Sequence, residues 1–198
     1  MSSKIPTRQK AAIVLFALAF LILAAVSVYT IYDAHKPENK DLGELMINWY
    51  IPDYDDLISD SDLIVVATVT NKTGIWGTDD GEKPSGVKAY TSGIYTEYTF
   101  QPVDVLKGNT TTIIGRARGG EVDGYTQKAT QTSSFEVGDT VLLFLTNNTD
   151  SDGNRILWYY INWPGAFEES SDGVFRNDVY GEITIEQLKL DIAESEAA

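Results

Sequence analysis

In residues 95–109, YTEYTFQPVDVLKGN, the alternation of apolar and polar side chains changes parity at Pro102. Ile94, Thr96, Tyr98 and Phe100 share one face on even positions, and beyond the proline Val103 and Val105 hold odd ones. Side chains alternate across a strand with a period of two, so parity changes without a lost strand only where one residue is inserted. Proline cannot donate to a ladder and is tolerated at a bulge or an edge. A long strand bent at such a bulge, with each half serving a different sheet, is how a small barrel turns a corner. The bulge is expected near Gln101-Pro102.

The rest of the chain supplies strands to go with it. Residues 63–70 (LIVVATVT) read as a buried strand from their β-branched content, and residues 140–145 (TVLLFL) as a fully apolar central one. Residues 111–117 and 121–128 are further strand candidates, separated by Gly119-Gly120. Residues 155–161 (RILWYYI) are expected to form a hairpin with 140–145 across the polar turn 147–154. Two short strands follow at 166–169 and 173–176. Residues 73–93, rich in Gly and Pro, read as a long loop. Residues 52–62 (PDYDDLISDSD) predict a short helix or turn, acidic at its start as the positive end of a helix favours. Thr184-x-x-Gln187 is a capping-box pattern opening a terminal helix. The fold class is mainly β: a small antiparallel barrel or sandwich with a short N-terminal and a C-terminal helix.

Ahead of this domain, residues 11–32 contain no charged side chain. At ~1.5 Å per residue they reach across the ~30 Å hydrocarbon core of a bilayer. Lys4, Arg8 and Lys10 precede them and no acidic residue occurs before Asp33. The positive-inside rule leaves residues 1–10 in the cytoplasm and the C-terminal domain outside. Small residues at Ala25 and Ser27 also suit a cleaved signal peptide, but the apolar run exceeds the ~7–15 residues of a signal h-region. The organisation expected is therefore a cytoplasmic N-terminus (1–10), a transmembrane signal-anchor (11–32), a stalk (33–52), a β-barrel domain (53–182) and a C-terminal helix with an acidic tail (183–198).

All 29 acidic residues follow Tyr32, together with 12 of the 15 basic ones, giving residues 33–198 a net charge of −17. Such a polyanion repels phosphate backbones, so nucleic acid is excluded as a partner class. The chain has no cysteine, hence no disulfide and no thiol chemistry, and a domain this long buries enough core without staples.

Four short signatures recur in a telling order: Ser61-Asp62-Leu63-Ile64-Val65, then Val105-Leu106-Lys107-Gly108, Gly119-Gly120-Glu121, and Phe135-x-x-Gly138-Asp139 leading into Val141–Leu145. Together they resemble a family of exported prokaryotic OB-fold domains, which are similar in turn to the netrin-like fold of the tissue inhibitors of metalloproteinases. The resemblance covers about residues 56–167, over half the chain, and implies an OB-like barrel. Those inhibitors chelate a protease zinc through a free N-terminal cysteine; with no cysteine here, inhibition by that route does not carry over.

Catalysis needs a nucleophile, a base or a metal. The single histidine, His35, lies in the stalk, so histidine-based triads and His-rich metal sites are ruled out of the domain. Asp55-Asp56, Asp79-Asp80 and Glu168-Glu169 are adjacent carboxylates, best read as solvated loop charges in so acidic a chain. Asn148-x-Asp150-x-Asp152-Gly153 opens like an EF-hand loop, but Tyr159 stands where the bidentate glutamate belongs, so a turn is expected. No cofactor and no metal site is expected. Sequons at Asn71, Asn109 and Asn147 fall where strands are expected to end, as glycosylation acceptors should. The aromatic run Trp158, Tyr159, Tyr160, Trp163 is the best ligand-binding candidate. In a strand Tyr159 shares a face with Leu157 and Ile161, leaving Trp158 and Tyr160 on the other, where aromatic faces stack on sugars or bases.

The expected function is a membrane-anchored, extracytoplasmic binding module of the cell envelope, not an enzyme, whose partner is a protein or a glycan. The competing class is an accessory or carrier protein for an envelope enzyme, on the pattern of membrane-anchored OB-fold haem chaperones, although the reactive histidine such carriers use is missing. A carboxylate-based hydrolase is the third.

Overall fold

The computed structural model describes residues 40–48, 50–78, 81–84, 93–148 and 158–197, with 21–23 and 26–27 of the N-terminal stretch. The chain divides into two compact units, Met1–Glu38 and Asn39–Ala198. In the first, residues 21–23 and 26–27 are helical, Leu21, Ile22, Leu23 and Val26 are exposed, and Ser27 Oγ donates to the Leu23 carbonyl (2.8 Å). Among the described residues no helix is long and apolar enough to cross a membrane. The remainder of the expected span 11–32 lies outside the described residues, as do residues 1–10 and His35.

The second unit is mainly β. Its elements are β1 (Lys40–Leu45), α1 (Tyr54–Asp60), β2 (Leu63–Trp76), β3 (Ile94–Lys107), β4 (Ile113–Arg118), β5 (Gly120–Val122), β6 (Tyr125–Ala129), β7 (Thr140–Leu145), β8 (Tyr159–Tyr160), a 3-10 turn (Trp163–Gly165), β9 (Ala166–Ser171), β10 (Val174–Asn177), β11 (Gly181–Thr184) and α2 (Ile185–Ala197). Eight strands form one curled sheet, a half-barrel, in the order β11-β10-β9-β7-β2-β3-β4-β8. A small sheet, β1-β6-β5, accompanies it.

The two uninterrupted apolar runs sit at the centre, where both faces of the sheet are covered. Odd residues of β2 (Leu63, Val65, Ala67, Val69) and of β7 (Val141, Leu143, Leu145) enter one core cluster with Tyr98, Phe100, Ile113 and Phe135. Even residues Ile64, Val66, Leu142 and Phe144 enter a second, closed by Leu57 and Ile58 of α1 and Leu188 and Ile192 of α2. The register Leu63↔Leu145, Val65↔Leu143 and Ala67↔Val141 keeps each set on its own side.

β3 carries the bulge the parity change predicts. Val66 faces Asp104 and Ala67 faces Pro102, so Val103 is the extra residue, one position past the proline. Parity does change: Val105 lies opposite Val65 on the first-cluster side, and Leu106 packs against the second cluster. Two expectations need correction. Both halves of β3 pair with β2 in the same sheet, and only the first half, Tyr95 to Phe100, also pairs with β4. Val103 and Val105 are 65 % and 38 % exposed, and among the described residues no strand pairs with the far edge of this half.

Other elements also depart from the sequence reading. β2 runs on through Trp76, where a loop from residue 73 is expected, because its last residues pair with Ile94 to Thr99 of β3. Within the expected stalk, Lys40–Leu45 forms a strand parallel to β6. Residues 121–128 are a hairpin rather than one strand, turning at Asp123-Gly124, where both residues have positive φ. Tyr159–Tyr160 pairs in parallel with β4, and not as a hairpin with β7, whose two edges are taken by β2 and β9. β11 is not among the expected strands. Thr184 caps α2, with Gln187 N donating to its Oγ1 (3.3 Å), but the Gln187 side chain turns to Asp191 Oδ1 (2.7 Å) rather than back to the cap.

Candidate functional site: the outer face of β3, β4 and β8

On the outer face, period two places Tyr95 and Glu97 of β3 directly opposite Arg118 and Arg116 of β4, and Arg116 opposite Tyr160 of β8. The inner residues of the same strands, Tyr98, Ile113, Ala117 and Tyr159, belong to the first core cluster. Gly115 is required here: a Cβ would stand 2.7 Å from Ile161 Cδ1 and 3.0 Å from Phe100 Cε2. That close approach locks the Tyr159–Ile161 segment against β4 and fixes where Trp158 and Tyr160 project.

Arg116 organises the cluster. Its Nε donates to Glu97 Oε2 (2.8 Å) and its Nη1 to the Thr78 carbonyl (3.4 Å). Its guanidinium carbon lies 4.4 Å from the centre of the Trp158 ring, a cation–π contact that occupies one face of the indole. Trp158 meets Tyr160 edge-on, with centroids 4.6 Å apart, and Tyr160 leans toward Tyr95 at 6.3 Å. Arg118 stands 5.3 Å from the Tyr95 ring centre. Burial pushes the Tyr95 phenol above its ordinary value, and the positive charge of Arg118 partly opposes that. A recess of about 50 Å³ lies between Gly77, Thr78 and these side chains, room for a water or two but not for a sugar ring. A larger ligand must lie across the face. Tyr160, 37 % exposed, is its most accessible ring.

Of the three aromatic residues predicted to bind, Trp158 and Tyr160 are brought together. Trp163 begins the 3-10 turn, and its side chain lies outside the described residues. Arg116, Glu97, Tyr95 and Arg118 were missed. The period-two spacing of the arginines in IIGRARG was a usable signal, but only the strand register shows that they meet the aromatics.

The three sequon asparagines are all exposed. Asn109 and Asn147 follow strands, whereas Asn71 lies within β2, beside the bulge at Thr70, and not at a strand end. Asp55, Asp56, Glu168 and Glu169 are exposed, without the burial that tunes a catalytic acid. Asp79-Asp80 and the turn 149–157 lie outside the described residues. A cleft of about 510 Å³ beside α2 includes Tyr54 and Tyr180, but both are engaged structurally. The Tyr54 hydroxyl donates to Asp191 Oδ2 (3.3 Å) and that of Tyr180 to the Pro52 carbonyl (2.7 Å). Among the described residues no group of three metal-ligating side chains is close enough to hold an ion.

The recurrent signatures, by contrast, serve chain geometry. Lys107 Nζ donates to the carbonyls of Ile58 (2.8 Å) and Ser59 (3.0 Å), capping the negative C-terminal end of α1. Gly108, at φ +79°, passes so close to the Asp62 carbonyl that a side chain would collide with it. The Ser61-Asp62 and Lys107-Gly108 signatures therefore meet in space. Gly120, at φ +132°, lies where a Cβ would stand 2.5 Å from Thr96 Oγ1, and lets the chain cross from the large sheet to the small one. In the Phe135–Asp139 turn Glu136 N donates to Asp139 Oδ2 (2.7 Å), and Gly138 N to the Val69 carbonyl (2.9 Å). No protein family matches the chain, and no curated protein is similar enough to match it.

Proposed function

We propose that this chain is a membrane-anchored, extracytoplasmic binding module of the cell envelope, built on an OB-like, netrin-like barrel, that engages a glycan or protein through the outer face of β3, β4 and β8. The observation that carries this reading is the cluster of Trp158, Tyr160 and Tyr95 beside Arg116 and Arg118. Aromatic rings offer rigid, amphipathic contact area at low entropic cost, and arginine adds fixed donors; both are enriched where proteins recognise partners. A surface face, not a pocket, suits a chain-like glycan or a protein surface. Nucleic acid is disfavoured by the net charge of −14.

The test applies the full chain, in detergent micelles, to an array of envelope glycans, with Tyr160→Ala and Arg118→Ala alongside. Selective binding lost in both variants, at unchanged melting temperature, supports the reading. Where no glycan binds, photo-crosslinking from position 160 in native membranes tests a protein partner. Adducts that Arg118→Ala does not weaken count against this face.

A further inference from the structure

Between β1 and α1 the fold leaves three large apolar side chains in water: Met46 at 86 %, Tyr50 at 81 % and Ile51 at 47 % exposure. Single exposed apolar residues are ordinary, but three within six positions concentrate apolar surface on one short connection, called the patch below. The patch has no helix or strand of its own, and it begins beside the end of the small sheet, where Ile47 N donates to Thr130 Oγ1 (3.1 Å).

We propose that Met46, Tyr50 and Ile51 rest in the interface of the bilayer, so that the domain lies against the membrane; this rests on the membrane-anchored reading of residues 11–32. Chain length argues for lipid as the occupant. Seven residues, 33–39, separate the uncharged stretch from β1, at most ~25 Å of extended chain. The globular unit is itself on the order of 40 Å across, so this tether holds it within one diameter of the bilayer. Contact that would be weak between free molecules becomes intramolecular under such a tether. Side-chain chemistry agrees, since a tyrosine among aliphatic residues suits the boundary between headgroups and acyl chains.

Charge differs between the two ends of this segment: Met46 leaves the small sheet, whereas Ile51 is followed within three residues by α1. The small sheet next to the patch holds Lys40 and Lys128 against Asp41, Glu44 and Glu121, close to balance. The two helices carry seven acidic side chains and one basic, Lys189, and would be repelled by anionic headgroups. Glu44 and Asp53 flank the patch, so insertion is shallow and strongest on zwitterionic lipid.

The chain has no cysteine, so a single introduced one accepts a fluorescent probe uniquely. Full-length Met46→Cys and Ile51→Cys, reconstituted in phosphatidylcholine vesicles, are compared with Val137→Cys, whose site is 60 % exposed, and with Leu21→Cys. Labels at 46 and 51 are expected to be quenched several-fold more by brominated acyl chains, and several-fold less by aqueous iodide, than the label at 137. Added phosphatidylglycerol is expected to shrink that difference. A Leu21 label in lipid with labels at 46 and 51 in water overturns this proposal alone. A Leu21 label in water overturns the anchored reading and this proposal with it. Labels at 46 and 51 shielded from both quenchers indicate a second copy of the chain as the occupant, which also overturns it.

Discussion

The two halves of β3 make one strand under different conditions. Ile94 to Phe100 is paired on both sides, to β2 and β4, and buries Ile94, Tyr98 and Phe100 to 1 % exposure or less. Gln101 to Lys107 is paired to β2 alone, and Val103 and Val105 remain exposed although the second half is scarcely less apolar. The charged residues follow the same division. Glu97, in the first half, meets a guanidinium only 10 % exposed, whereas Asp104, in the second, meets Lys189 with both side chains near half-exposed (46 % and 54 %). A bulge re-aims a strand, but only a covering element turns the new direction into burial.

Substitution tests that contrast most directly. Phe100→Ala is expected to cost about 3–5 kcal/mol of unfolding free energy in urea, against less than about 0.5 for Val103→Ala. Similar losses at both positions would mean that the second half is covered in solution. Gly115→Ala forces a methyl group onto Ile161 and Phe100, for about 1–3 kcal/mol. It should also shift the fluorescence of Trp158 by moving the segment that carries it.

The ion pairs give the next smaller contrast. Arg116→Ala leaves Glu97 without its partner and should cost about 2 kcal/mol, whereas Lys189→Ala should cost less than about 0.5 kcal/mol. Equal effects would remove the distinction between the halves.

Alkaline pH is the mildest perturbation. Burial raises the phenols of Tyr54, Tyr95 and Tyr180, with Asp191 adding to the shift at Tyr54 and Asp53 to that at Tyr180. The folded chain then holds protons that the unfolded chain releases near pH 10, so stability is complete below that pH and falls as pH rises through the folded values. Melting temperature measured from pH 8 to 12 should decline above about pH 10. Tyr54→Phe and Tyr180→Phe should each flatten the decline.

How far each feature was legible depended on the range of the interaction that makes it. The bulge was readable to within a residue or two because a proline and a parity change are local. The central strands were readable because apolar residues on both parities require two covered faces. The strand within residues 33–52 was not, since none of the six residues of β1 is buried and it is set by backbone pairing with β6. At the candidate site, the separation of Tyr159 from Trp158 and Tyr160 followed from alternation alone. The arginines beside them came from a strand some forty residues earlier, and alternation cannot say which strands are neighbours.

By itself, then, the sequence determined a mainly β unit, its two central strands, its bulge near Pro102 and the capped helix at its end, because each is written in a pattern of near neighbours in the chain. Tertiary structure alone decided that β8 lies parallel to β4, that Arg116 covers Trp158, and that Val103 stays in water. Those depend on which edges remain free once β7 and β2 have found their partners. Strand pairing is a competition for backbone donors and acceptors, and its outcome is settled between segments distant in the chain.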